Sequence, residues 1–314
     1  MDSELYLVIR NSILFFTLSI LLFGCNVNDE INSVYIPKRV VIIGLDGLSV
    51  EGFQESKHPN IDKLLNDGLL SLNTRCVSPS ITLPNWTSHF TSSGPEQHGV
   101  MSNDWNLDNF QLPPLDYDKS GYFPSIFKIL KDEIPHAKTA FYYNWANLIN
   151  SLNKEYFDEI SFEENDQFSE NYQKAYNFIS DYRTDPMLIF LYSVHIDHAG
   201  HRFNWMSEEY LSSIEVIDLE IGKLIDRLKF SDLYDDTNFL LITDHGGRRN
   251  TPRHGGLSIE EMEVPWAITG PNIKRGNLNE ANSVINTARI ISLIFGLENI
   301  PKSWVGNIPQ SIFE

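Results

Sequence analysis

Cysteine is almost absent from this chain of 314 residues: there are two, Cys25 and Cys76. A disulfide scaffold is thereby excluded, so the fold must stand on its hydrophobic core and on any bound metal. Basic residues are also scarce, with 24 Lys and Arg against 42 Asp and Glu and a net charge of −18. Such a surface does not suit nucleic-acid polymers, whose affinity rests on lysine and arginine meeting phosphates. Small phosphorylated substrates stay within reach, because a local metal charge outweighs a distant surface field. The N-terminal apolar run, Ile13–Phe23, falls short of the about 20 residues that a membrane-spanning helix needs. Internal repeats and low-complexity tracts are lacking too, and nothing marks a second domain.

What is present begins with that run. Followed by Gly24 and Cys25, it fits the apolar core of a secretory signal. The ending "LFGC" resembles a bacterial lipobox. The expected organisation is a signal peptide over 1–24, a lipidated Cys25, a polar tether over 25–37 and one catalytic domain over 38–314. The protein would then be exported and held at a membrane by its lipid, in the periplasm or at the cell surface. Asp2 and Glu4 precede the run against a single Arg10, whereas signal peptides usually begin positive; an uncleaved anchor is the alternative. Either reading puts the body outside the cytoplasm.

Beyond the tether, β-like and helix-like runs alternate. "RVVIIGL" (39–45) is continuously apolar and β-branched, as expected of a strand buried on both faces. Further strands are expected at 138–145, 187–194, 238–244 and 264–270. Helical periodicity is clearest over 207–228, where Tyr210, Leu211, Ile214, Ile217, Ile221, Leu224 and Ile225 share a face. Other helices are expected at 59–67, 84–93, 122–132, 168–181 and 284–296. The acidic segment 155–172 reads as solvated surface. This alternation predicts an α/β three-layer sandwich around a mostly parallel sheet.

Acids and histidines cluster just past strand ends. Asp46 follows the first strand; Asp197 and His201, in "HIDHAGH", follow the strand ending near Val194; Asp244 and His245, in "ITDHGG", end the strand beginning at Asn238; His254 lies in "RHGG". In open α/β sheets the carboxyl ends of parallel strands form the site crevice. Asp-Gly is a common turn and a lone histidine is usually structural, but three acids and three histidines at one sheet edge point to divalent metal. Carboxylates with imidazoles suit zinc, ahead of manganese or iron. Asp197 and His201 are four apart and share one helical turn.

Thr82, in "SPSITLPNWTSHFTSSGPEQHGV", stands where a helix begins. Alone it reads as a helix cap. At a helix N-terminus beside metals, its hydroxyl is an activated nucleophile, and the features converge on phosphoryl transfer through a covalent phosphothreonine with two metals.

The ordered set "VVIIGLDG", the Thr82 segment with Asn103, "DHAGHRFNWMSEEY", "ITDHGG", "RHGG" and "VPWAITGPNIKRG" resembles the alkaline phosphatase superfamily. Within it the chain is similar to the type I phosphodiesterase/nucleotide pyrophosphatase family, from about Arg39 to the C-terminus. The resemblance implies an alkaline-phosphatase-like fold and one metal on Asp197, His201 and His254. It implies a second metal on Asp46, Asp244, His245 and Thr82, and a hydrogen bond from Asn103 to a phosphoryl oxygen. The residue after the nucleophile, often aromatic in the family, is Leu83 here. A sulfatase would need cysteine or serine at position 82 and arginine where Trp86 stands. A phosphomonoesterase is the nearer rival; one such group uses a Lys-x-Arg pair, while 146–175 holds only Lys154 and Lys174 as basic residues. A mutase lacks the room, and a non-catalytic binding lipoprotein would be expected to have lost a ligand. The substrate expected is a small phosphate ester or diester; no protein partner is inferable.

Overall fold

The computed structural model describes residues 39–164 and 167–314. The signal, lipobox and tether readings lie outside the described residues. Eight strands form a single sheet: β1 (Arg39–Leu45), β2 (Gly68–Arg75), β3 (Lys138–Tyr143), β4 (Glu159–Phe162), β5 (Met187–Ser193), β6 (Thr237–Ile242), β7 (Glu263–Thr269) and β8 (Gly276–Asn277), in the order β4-β3-β5-β1-β6-β7-β2-β8. β4, β3, β5, β1 and β6 run parallel, and β7 is antiparallel to both β6 and β2. The sheet is therefore mixed but mostly parallel.

Alternation along the central strands builds two cores. Val40 and Ile42 of β1, with Leu188, Phe190 and Tyr192 of β5, face one side. Val41, Ile43 and Leu45, with Met187, Ile189 and Leu191, face the other. Because successive side chains point to opposite faces, an unbroken apolar strand requires helices on both. Among the described residues six helices reach eight residues: α1 (Thr82–Thr91), α2 (Ile126–Glu133), α3 (Ser169–Asp181), α4 (His195–Phe203), α5 (Glu208–Phe230) and α6 (Thr287–Phe295). α1, α2 and α6 supply Trp86, Phe90, Phe127 and Ile291 to the first core. α3, α4 and α5 supply Phe178, Ile196 and Ile217 to the second. The result is the expected three-layer sandwich. None of the described helices is long and apolar enough to cross a membrane.

α5 begins at Ser207, whose hydroxyl accepts from the Tyr210 N–H, with Glu208 and Glu209 in the first turn and Arg227 and Lys229 in the last. Those charges complement the helix dipole. Tyr210, Ile214, Ile217, Ile221, Leu224 and Ile225 are buried as the periodicity predicts; Leu211, at the margin of the stripe, is half-buried.

The segment 155–172 corrects one expectation. It is not simply solvated: it contains edge strand β4, parallel to β3, and enters α3 with Phe168, Asn171 and Tyr172 buried. Acidity concealed the strand because its side chains alternate between half-buried and exposed, as an edge strand permits. The first helix of the Thr82 segment also starts two residues earlier than expected.

Candidate active site and metal centre

Strand register sets the site. Leu45 of β1 lies beside Ser193 of β5, and Gly44 lies beside Ile242 of β6. The residues that follow therefore emerge at one edge: Asp46 after β1, α4 with Asp197 and His201 after β5, and Thr243, Asp244 and His245 after β6. α1 delivers Thr82 to the same place. Its N-cap is Ile81, with no side-chain capping bond, and Thr82 is its first residue. The structure thus gives the Thr82 hydroxyl no capping role; its Oγ1 lies 3.4 Å from His245 Nε2.

The acids and histidines converge. His245 Nε2 is 3.5 Å from Asp46 Oδ1 and 3.4 Å from Asp244 Oδ2, and these three side chains are fully buried. His201 Nε2 is 3.5 Å from Asp197 Oδ2, and His254 Nε2 is 3.8 Å from Asp197 Oδ1. Two sets have ligand atoms close enough to share a cation: Asp197, His201 and His254; and Asp46, Asp197 and His245. Asp197 belongs to both and so joins the two halves.

Several observations fit this cluster to metal. Asp46 Oδ1, Asp197 Oδ1 and Asp244 Oδ2 are buried without a hydrogen-bond partner among the described residues. Unpaired buried carboxylate oxygens are costly unless a cation meets them. All three histidines also spend Nδ1 on backbone carbonyls: His245 on Gly246 at 2.9 Å, His201 on Pro252 at 3.0 Å and His254 on Ser80 at 2.9 Å. A neutral imidazole that donates through Nδ1 keeps a lone pair at Nε2, the arrangement by which outer-shell bonds orient metal ligands. His201 and His254 then turn these lone pairs toward each other, Nε2 to Nε2, at 3.1 Å. That approach is repulsive for two neutral rings and favourable around a shared cation.

Electrostatics agree. Burial, reinforced by Asp244 and then Asp197, pushes the Asp46 carboxyl well above its ordinary range, and burial does the same to Asp244. Burial lowers His245, and burial with the neighbouring His245 ring lowers His254 to about 3. The protein by itself thus disfavours ionised acids here while keeping these two imidazoles neutral, and a divalent cation reverses the first effect and exploits the second.

The surroundings hold the ligands in place. Asp46 Oδ2 accepts a hydrogen bond from the Tyr192 hydroxyl, and Asp244 Oδ1 accepts from the Gly47 N–H at 3.1 Å. Gly247 packs so closely that a Cβ would fall 2.1 Å from Trp205 Cε2, and one on Gly246 would fall 2.0 Å from the Glu260 carbonyl. Only glycines let the chain turn there. The His245 and His254 rings stack at 3.8 Å. Sequence reasoning did not anticipate Tyr192; a tyrosine near the end of an otherwise apolar strand was its signal.

Asn103 Oδ1 accepts the Leu83 N–H at 2.9 Å, so its amide is oriented beside Thr82. Leu83 is buried with Val100 and Trp105 in a small separate core. The loop after Asn103 divides its aromatics: Trp105 joins that core, whereas Phe110 and Tyr117 are exposed. With Trp105, Leu107, Pro113 and Pro114 these two line an apolar cavity of about 360 Å³.

The family model for type I phosphodiesterase / nucleotide pyrophosphatase matches residues 40–265. Bis(5'-adenosyl)-triphosphatase ENPP4 of Bos taurus is 23% identical over 233 residues, covering 72% of this chain and 50% of the relative. Ectonucleotide pyrophosphatase/phosphodiesterase family member 3 of Rattus norvegicus is 25% identical over 224 residues, covering 66% of this chain and 24% of the relative. The chain thus spans half or less of the length of these relatives. Among solved structures, an inactive threonine-to-alanine form of murine ectonucleotide pyrophosphatase / phosphodiesterase 5 in complex with AMP superposes with a TM-score of 0.70 at 16% identity, covering 84% of this chain and 96% of that one. A putative sulfatase from Bacteroides thetaiotaomicron superposes at 0.68 with 13% identity, covering 88% and 74%. These structures share the fold, and the family match spans the stretch that holds Asp46 to His254: the chain belongs to the type I phosphodiesterase/nucleotide pyrophosphatase family.

Proposed function

We propose that the protein is a two-metal phosphodiesterase that acts on a small substrate through a covalent phosphothreonine at Thr82. The observation that carries this reading is the Thr82 hydroxyl, uncommitted to its helix and 3.4 Å from His245, among buried carboxylates that each keep one oxygen without a hydrogen-bond partner. Asp197, His201 and His254 would hold one metal, and Asp46, Asp244, His245 and Thr82 the other, zinc being the best match to these donors. Bound metal would lower the pKa of the threonine hydroxyl and offset charge on the substrate oxygens. Thr82 Oγ1 would give its proton to solvent and form the bond to phosphorus as the phosphorus–oxygen bond to one alcohol breaks, and the leaving alkoxide would take up a proton from solvent in return. The product is a phosphothreonine that keeps the second alcohol. Water then attacks phosphorus, releases the phosphate monoester and restores Thr82. The N-terminus of α1 favours the anion, and Asn103, held through its Oδ1, offers its amide hydrogens to a phosphoryl oxygen. The inactive threonine-to-alanine form of the murine neighbour, in complex with AMP, supports the assignment of Thr82.

A diester carries one negative charge, and a monoester about two. Two of the cations that could match a second charge are engaged elsewhere: Lys174 bonds Glu163 and Ser161, and Arg249 pairs with Glu51 and Glu55. Arg248 and Arg253, exposed on the loop that carries His254, keep a monoesterase as the second reading. Bis-p-nitrophenyl phosphate should therefore exceed p-nitrophenyl phosphate in kcat/KM, with both activities abolished by EDTA. A preference for the monoester would overturn the diesterase reading and leave Thr82 and the metals in place; alanine at Arg248 and Arg253 would then locate the cation. We also propose that the protein is exported and anchored through lipid on Cys25. Intact-mass spectrometry showing an unmodified Cys25 in a full N-terminus would reject the anchor.

A further inference from the structure

A chain of buried polar groups ties the helix of Thr82 to the strand end of Asp244 and His245. His89 lies on α1, seven residues after Thr82 and so two turns along the same face. Its Nδ1 is 2.8 Å from Thr287 Oγ1, its Nε2 is 3.1 Å from the Thr243 carbonyl, and Trp266 Nε1 donates to Thr287 Oγ1 at 3.1 Å. His89, Thr243, Trp266 and Thr287 are all fully buried.

The direction of every bond follows from the donor inventory. A carbonyl can only accept, so His89 Nε2 carries the hydrogen that meets Thr243; Nδ1 of the neutral ring then accepts the one proton of Thr287 Oγ1, which itself accepts from the Trp266 indole. Thr243 in turn reaches the site: its Oγ1 lies 3.4 Å from Asp244 Oδ1 and accepts the Leu48 N–H at 3.3 Å, just past Asp46 and Gly47. α1 thus touches the 243–245 turn twice, through Thr82 at His245 and through His89 at Thr243. The contacts are about 10 Å apart along the helix. Trp86 and Phe90 hold the helix against the sheet, and the two polar contacts fix the 243–245 turn against the helix at two separate points.

We infer that His89 is a positioning residue, which fixes the 243–245 turn that carries Asp244 and His245 and sets Thr82 against it. Its effect on turnover rests on the proposed role of Thr82; its effect on the turn does not. The experiment compares the full-length protein with His89→Leu, His89→Gln and Thr287→Val. Zinc affinity is read by competition with a chromogenic chelator, kcat and KM on bis-p-nitrophenyl phosphate, and folding by thermal melt. Removal of a partner bonded directly to a ligand costs about 10- to 100-fold in metal affinity or activity; His89 acts one residue away, on Thr243, so the lower end is expected. His89→Leu is expected to weaken zinc and to lower kcat by about tenfold, with KM within about twofold. His89→Gln, whose amide can still donate to Thr243, should recover most of both. Thr287→Val removes the donor to His89 Nδ1 with little change of shape, and should show the same direction at smaller size if His89→Leu does not fold. Wild-type zinc affinity and kcat in a folded His89→Leu, or in Thr287→Val where His89→Leu fails to fold, would overturn the inference. If instead zinc affinity falls while Thr82→Ala keeps its turnover, the positioning role stands and the catalytic reading of Thr82 fails.

Discussion

The two halves of the metal cluster are built differently. Asp46, Asp244 and His245 have fully buried side chains at the ends of central strands, and their neighbours Tyr192, Gly47 and Thr243 belong to the same rigid sheet edge. Asp197, His201 and His254 stand on a helix and a loop, and His201 is 44% exposed. The first half is held by the fold itself. The second is held by carbonyls of 80 and 252, in segments outside the sheet. One half is thus preorganised, as developing charge requires, while the other reaches solvent through His201, its Asp197 and His254 side chains staying buried.

The largest effect is expected at Thr82, which belongs to the buried half. Thr82→Ala should lower kcat by about 10³-fold or more while the fold and most zinc remain, since removing a nucleophile deletes the covalent step without unbuilding the ligands. Near-normal kcat in the variant would return Thr82 to a structural role. Next, the halves should respond unequally to loss of a ligand. Asp46→Asn should lose zinc from the buried half in a way that added zinc does not restore. His201→Ala should lose about 10- to 100-fold in zinc affinity and recover activity in excess zinc. Equal responses, measured by metal analysis and rescue, would erase the distinction.

The smallest effect sharpens it from outside the metal ligands. Burial lowers His98 to about 3, and its ring lies 3.0 Å from Ser88 Oγ on α1. An unfolded histidine titrates near 6.5. Between these values the unfolded chain binds the extra proton, so stability falls as pH falls, by about 1.4 kcal/mol per pH unit for this group. His98→Asn keeps an acceptor for the Val100 N–H and should flatten the dependence. Denaturant melts at pH 7 and 5 should differ by about 2 kcal/mol less in the variant than in the wild type. Equal slopes would mean that His98 is solvated or charged in the folded protein.

Much of this was legible in the chain because chemistry and pattern coincide. β1 was readable from the unbroken apolar run Val40–Leu45, and the edge at which Asp46, Asp197, Asp244 and His245 gather follows from parallel strands alone. β2 and β4 were not readable. Their half-buried alternation belongs to the outer part of the sheet, where polar and acidic side chains are tolerated. Thr82 was legible as a candidate, but whether its hydroxyl caps or faces the acids depended on the start of α1, and local propensity sets a helix boundary weakly. The aromatic loop after Asn103 was ambiguous for the same reason: apolar residues are needed both by a small core and by an open cavity, and here they serve both.

By itself, then, the sequence determined the layer order, the residue types of the site and their common edge, because hydrophobic period and strand direction are local properties of the chain. Only the tertiary structure decided that Asp197 joins both ligand groups, that three imidazoles turn Nε2 inward, and that His89 reaches the Thr243 carbonyl. Each of those depends on the register and spacing of segments far apart in the chain, which distance in sequence does not encode and packing does.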